Sequence, residues 1–221
     1  MPEFYTQHAK VHVSVDCIVF GFDDKKLKLL IGRRKIEPGK GQWALYGGFV
    51  GADESLDDAA ARVLSELTSI QTTYMAQVGT FGELNRAEGE RVISVAYAVL
   101  INVKDYHREL LEQHKLEWVD ITDIPPMFAD HGKMISQAIK MLRRRISYEP
   151  LTFSLLPEMF TLTQLQNVYE AILDTELDKR NFRKRIKQMD YIKQSGLIDK
   201  QTSKRGAALY YLDKAVFEAK L

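Results

Sequence analysis

Val11, Val13, Val15, Cys17 and Val19 alternate with His12, Ser14, Asp16, Ile18 and Phe20, the period-two signature of a strand with one fully apolar face. Asp23-Asp24-Lys25-Lys26 reads as a turn, and Leu27 to Ile31 as its hairpin partner. Pro38, Gly39 and Gly41 mark a loop before a strand-like run from Trp43 to Val50. Leu56 to Leu67 changes to helical spacing, with Asp53 or Ser55 placed to cap it. Further strands are predicted at Ala76 to Phe81, Arg91 to Val103 and Glu117 to Ile121, and a helix from His131 to Arg145. Strands interrupted by one helix and closed by another give an α+β mixed sheet rather than a regular strand–helix alternation.

Tyr148 to Pro157 holds two prolines, little charge and no clear period, so it reads as a linker. Residues 1–147 then form one domain, residues 148–157 the linker and residues 158–221 a second domain. In the second, Thr161-x-x-Gln164 is a capping box opening a helix with Leu165, Val168, Tyr169, Ile172 and Leu173 on one face. A second helix starts at Asp178, with Phe182, Ile186 and Met189 as its apolar stripe. Leu197 to Asp199 and Ala208 to Leu212 read as a hairpin around a turn containing Lys200, Lys204, Arg205 and Gly206.

Hydrophobic residues make up 45% and charged residues 28% of the 221, an ordinary balance for a folded domain that names no function. A single cysteine excludes a disulfide framework and a Cys-based zinc site, and suits a reducing cytoplasm. The polar N-terminus and the short apolar runs predict neither export nor a membrane partner. Net charge is +1, but residues 151–221 carry twelve Lys+Arg against nine Asp+Glu, and six of those twelve lie between Lys179 and Lys187.

Gly48, Glu54, Arg62 and Glu66 fall in register with the Nudix box, G-x5-E-x7-R-E-U-x-E-E-x-G-U, where U is a bulky aliphatic residue. Leu64 and Ile70 fill the aliphatic slots, and Trp43-Ala44-Leu45-Tyr46-Gly47-Gly48 resembles the family's lead-in. The resemblance implies that the box glutamates once gathered divalent cations around a diphosphate. Val63 and Leu67 stand where two of those glutamates belong, and Ser69 replaces the glycine. Leu56, Ala60, Val63 and Leu67 moreover share one helical stripe, so the metal face resembles packing surface. Hydrolysis is therefore expected to be absent or very weak, with no catalytic residue, metal or cofactor assigned. Glu54, Arg62 and Glu66 are then either structural remnants holding the loop against the helix or the lining of a retained ligand pocket.

The helix opening at Asp178 carries its cations away from the apolar stripe, between an amphipathic helix and a hairpin, in the order of a winged helix-turn-helix. Arg180, Asn181, Arg183, Lys184 and Lys187, with Lys179 beside them, can meet a major groove, while Lys204 and Arg205 lie on the wing. With Phe153-Ser154-Leu155-Leu156-Pro157, Leu177 to Arg183 and Arg205-Gly206 before Leu209-Tyr210, the whole chain resembles the Nudix-related transcriptional regulators. Ala207 stands where many of those proteins carry proline. That resemblance implies a homodimer on double-stranded operator DNA, controlled by a small-molecule effector. The effector is a pentose if the chain is closest to arabinose-responsive members, as its overall likeness suggests, and ADP-ribose if it governs NAD metabolism. A divergent Nudix hydrolase is the competing enzyme reading.

Asp16, Tyr46, Asn85, Arg86 and Arg91 are candidate effector contacts: carboxylate and amide suit sugar hydroxyls, and the arginines suit a diphosphate. His107 and His114 lack a third metal ligand and read as surface histidines. Tyr74, Tyr97 and Tyr106 read as core or interface residues.

Overall fold

A computed structural model describes residues 6–23, 25–68, 74–87, 89–103, 112, 115–146, 149, 151–200 and 205–219, with Leu67 and Thr68 described by backbone alone. Lys204, Tyr106, His107, His114, Ser69, Ile70, Tyr148 and Pro150, all singled out by sequence, lie outside those residues.

The N-terminal domain is built on β1 (His12–Asp23), which pairs in parallel with β6 (Val92–Asn102) along most of its length. The hairpin partner β2 (Lys26–Arg33) lies antiparallel on the other side of β1, and β7 (Leu116–Asp120) extends β2. At the opposite edge β5 (Tyr74–Phe81) pairs with β6. The run Trp43 to Val50 is two short strands rather than one: β3 (Trp43–Ala44) joins β2, and β4 (Tyr46–Phe49) joins β1. Leu45 between them turns inward and is buried, which redirects the chain from one partner to the other.

Helices cover both faces of this sheet. On one face α1 (Leu56–Thr68) sets Ala59, Ala60, Val63 and Leu64 against Val15, Cys17, Val19, Val95, Tyr97 and Val99. Ser55 caps it, exchanging hydrogen bonds with Asp58 through side chain and backbone. On the other face α2 (His131–Arg145) sets Met134, Ile135, Ala138 and Leu142 against Ile18, Phe20, Leu29 and Ala98. β1 is thus buried on both sides, and the half-polar pattern read from sequence holds only for its first residues. Ile18 and Phe20, which share a face with Ser14 and Asp16, are fully buried under α2.

Where the sequence suggested a linker, Leu151–Leu155 forms a 3-10 helix. Leu151, Leu155 and Leu156 are buried in the same apolar cluster as α2, so this segment is packed rather than free. The C-terminal domain follows with β8 (Phe160–Thr161), α3 (Leu162–Leu173), α4 (Lys179–Ile186), β9 (Ile192–Asp199), β10 (Ala207–Leu212) and α5 (Lys214–Glu218). Its sheet runs β8-β10-β9. The two-residue β8 and the single turn of α5 are too short to leave a period in the sequence.

The architecture is the expected α+β arrangement of a mixed sheet with covering helices and a C-terminal winged helix. Apolar residues of α3 and α4 join the cluster under α2, giving the two domains one continuous core. Among the described residues no helix is long and apolar enough to cross a membrane.

Candidate nucleic-acid interface and effector site

The winged helix is assembled from local signals that fix its helices in turn. Thr161 and Gln164 form the reciprocal capping box at the start of α3. At its end, Gln166 donates to the Leu177 carbonyl at 2.8 Å, and Glu170 accepts from the Leu177 amide at 2.9 Å. These bonds tie the turn between the two helices. Asp178 then caps α4 by accepting from the Asn181 amide at 2.9 Å. Phe182 and Ile186 turn inward, Phe182 packing edge-on against Tyr169 at 5.3 Å between ring centroids.

Burial of those two residues leaves Lys179, Arg180, Asn181, Arg183, Lys184 and Lys187 exposed around the rest of the helix, one polar surface with the side-chain chemistry for phosphates and base edges. Arg185, in the same basic run, is also exposed but acts electrostatically on the buried Tyr169. On the hairpin Arg205 is exposed beside Gly206, whose positive φ of 77° and close approach to Ile198 favour glycine. Lys204 cannot be placed among the described residues.

The Nudix loop presents the opposite arrangement. Arg62 holds Glu54 through two bonds, Nε to Oε2 at 3.0 Å and Nη2 to Oε1 at 2.7 Å. The same guanidinium reaches Glu66 at 3.3 Å and the Phe49 carbonyl at 3.0 Å, while Glu54 also accepts from the Gly51 amide at 2.7 Å. These bonds clamp loop to helix, and the Arg62 guanidinium holds the Glu54 carboxyl at about 2, well below its ordinary value. Val63 is 1% exposed, and a Cβ on Gly48 would come within 2.9 Å of it, so the loop packs directly on this side chain.

A divalent cation would need several hard oxygen donors converging on one point. Here one carboxylate is committed to Arg62 and Gly51, the second leans on the same arginine, and Val63 is core. The residues present do not fit the metal. Among the described residues no group of three or more His, Cys, Asp and Glu is placed to hold one.

Of the five candidate effector contacts, Tyr46 lies on one face of the sheet, Asp16 and Arg86 on the other, and Asn85 and Arg91 between β5 and β6. Tyr46 pairs with Cys17 and lies on the α1 side, where burial and then the neighbouring Glu66 push its hydroxyl pKa up. Asp16 and Arg86 meet on the α2 side in a buried cluster that sequence reading resolved only in part. Arg86 donates to both oxygens of Asp130 at 3.0 Å and lies 3.7 Å from Asp16. Asp16 also accepts from Ser94 and faces the His131 Nε2 at 3.8 Å. His131 Nδ1 accepts from the Leu45 amide at 3.0 Å, which leaves its proton on Nε2, toward Asp16. Burial is the largest influence on His131 and lowers its pKa.

Gly47 borders this cluster, since a Cβ there would sit 2.2 Å from Asp16 Oδ1. The Arg86 side chain is only 7% exposed, so the expectation of an open cationic cleft around it gives way to a guanidinium filled by two carboxylates. Asn85 is exposed, and Arg91 donates to the Glu83 carbonyl at 3.0 Å. Ser94, Asp130 and His131 were missed; Asp130 and His131 stood at the predicted start of α2, but nothing in the pattern paired them with a strand 114 residues earlier.

The match to known proteins follows the same division of the chain. A family model for the NUDIX domain matches residues 10–138, and one for the NrtR DNA-binding winged helix domain matches residues 152–212. The ADPR responsive transcriptional repressor NtrR of Acinetobacter baylyi is 35% identical over 202 residues, covering 90% of this chain and 80% of that protein. The chain belongs to the NrtR family of Nudix-type regulators. Shewanella oneidensis NrtR, crystallised with a 27mer DNA, superposes with a TM-score of 0.85 at 30% identity over 93% of this chain and 95% of that one. The Nudix domain of Shewanella NrtR, crystallised with ADP ribose, matches 64% of this chain and 99% of that one at 26% identity and a TM-score of 0.53.

As a member of the NrtR family, the chain is a DNA-binding transcriptional regulator of Nudix type. The anticipated likeness to arabinose-responsive members finds no support in these relatives, whose descriptions carry ADP-ribose instead.

Proposed function

We propose that this protein is an ADP-ribose-responsive transcriptional regulator of the cytoplasm, in which a catalytically silent Nudix domain controls how a pair of winged helices grips operator DNA. The observation that carries this reading is the contrast between a solvent-facing cationic α4 and a Nudix helix whose box residues are clamped together by Arg62. Lys179, Arg180, Asn181, Arg183, Lys184, Lys187 and Arg205, with Lys204 beside it, form the DNA surface. Lys and Arg contacts to phosphate position the helix, and Arg180 and Asn181 read base edges. A homodimer matches a two-fold operator.

ADP-ribose replaces the pentose as the effector because of the relatives named above. Within the 82–91 loop, Arg91 is the better partner for its diphosphate, since Arg86 is committed to Asp130 and Asp16. Anisotropy titration of the duplex upstream of the protein's own gene, with ADP-ribose or arabinose, tests the assignment. ADP-ribose is expected to weaken binding without Mg2+ and to be recovered intact. A response to arabinose alone restores the pentose reading. Steady Mg2+-dependent cleavage of ADP-ribose, abolished by Glu66→Gln, restores the hydrolase.

A further inference from the structure

The two domains are held together by the apolar core they share, and a polar contact crosses their junction beside it. A directional contact is supplied by Arg143 of α2. Its Nε donates to the Ile172 carbonyl at 2.9 Å, and its Nη2 reaches the Asp174 carboxylate at 3.3 Å. Ile172 lies in the last turn of α3, where helix carbonyls lack partners within the helix. Asp174 is the residue after that helix and holds a left-handed conformation at φ 57°, which aspartate tolerates better than most residues.

The contact stands at a sensitive point of the winged helix. Beyond Asp174 the chain enters the turn tied by Gln166 and Glu170, and then α4, so a tilt of the α3 end carries the DNA-reading helix with it. At its other end α2 begins with His131, preceded by Asp130, in the buried cluster with Asp16 and Arg86. Surface clefts of about 390 and 560 Å³ flank the contact, one lined by Asp174 with Lys25, Asp120 and Glu170, the other by Arg143 with Pro125, Ile135 and Ile139. The Arg143 and Asp174 side chains are 38% and 67% exposed, so their ion pair is weak and screened by salt.

We propose that Arg143 is the positioning residue that sets the winged helix on the Nudix domain, and that the response to effector depends on it. A contact this exposed fixes an orientation while adding little to folding stability. It can therefore be exchanged for another arrangement by a ligand with modest preference between the two. The response to effector rests on the ADP-ribose reading above; the positioning role does not.

Spin labels at Lys40→Cys and Lys214→Cys, one exposed site in each domain, test the role in the full chain, where Cys17 is buried and out of reach. Without ligand the wild-type background is expected to give a narrow inter-label distance distribution, and Arg143→Ala a broadened or shifted one at an unchanged melting temperature. Arg143→Lys, which retains a cation, should restore part of the wild-type distribution. Arg143→Ala should bind ADP-ribose within twofold of wild type, yet its operator affinity should change less than twofold on adding ADP-ribose. An unaltered distribution in Arg143→Ala overturns the positioning role. A full wild-type ADP-ribose response in that variant overturns its part in regulation. If the wild-type protein ignores ADP-ribose, the effector reading fails together with the regulatory half, and the ligand-free distances still decide the positioning role.

Discussion

The two domains of this chain spend their cations differently. In the Nudix domain Arg62 is closed onto Glu54 and Glu66, and Arg86 onto Asp130 and Asp16. In the winged helix Lys179, Arg180, Arg183, Lys184 and Lys187 of α4 and its cap stand exposed above two buried apolar residues. Charge already matched within the molecule serves the fold, whereas charge left facing solvent is available to a polyanion. The position of a basic residue in a motif does not separate these cases; its partners do.

Breaking the internally matched side should cost the most. Asp130→Ala would leave the Arg86 guanidinium buried with its bidentate partner gone, a loss of about 3–5 kcal/mol of stability for pairs of this kind. In a chain of this size that corresponds to a fall of roughly 10 °C in melting temperature, measurable by calorimetry. A shift within error would mean that water or Asp16 compensates, and that the cluster is looser than its geometry.

On the externally matched side, the double change Arg183→Ala, Lys184→Ala should leave the melting temperature unchanged and weaken duplex binding on the order of 10- to 100-fold. Each lost phosphate contact should flatten the slope of log affinity against log salt by about one unit. Arg180 and Asn181 should instead alter which sequences are preferred. Unchanged binding by a folded double variant would remove α4 from the interface.

The smallest effect concerns acid. Arg62 holds the Glu54 carboxyl at about 2, below its unfolded value, so the clamp's contribution is fully present above pH ~4.5 and lost as pH falls toward 2. Glu54→Gln should lower the melting temperature slightly at neutral pH, with the gap to wild type closing between pH 5 and pH 2.5. A gap that persists in acid would separate the clamp from this ionisation.

Much of this was legible in the sequence where one signal sufficed. Helical period and capping residues placed α2 and α3 and the start of α4, because each is amphipathic, but the stripe runs on to Met189 although α4 ends at Ile186 and β9 already begins at Ile192. β1 was found, but its second buried face was not, since Ile18 and Phe20 alternate with apolar neighbours and period alone does not report a second covering helix. Val63 could be recognised as core from its stripe; the side chain of Leu67 lies outside the described residues. The cluster of Asp16, Arg86, Asp130 and His131 was only half visible, because it is assembled from three separate stretches of chain. The packed segment at Leu151–Leu155 was hidden for a related reason: its leucines find their partners in β6 and α3 rather than within their own turn.

The central claim is that ADP-ribose and operator DNA compete through the fold, and reciprocity of their binding tests it most directly. Calorimetric titration of ADP-ribose into the free protein, and into the protein–operator complex at the same salt, should give a weaker affinity in the complex. The factor should equal the one by which ADP-ribose weakens operator binding, roughly 5- to 150-fold for coupling of about 1–3 kcal/mol. Equal ADP-ribose affinities in the two titrations would contradict the account, even with DNA binding by α4 intact.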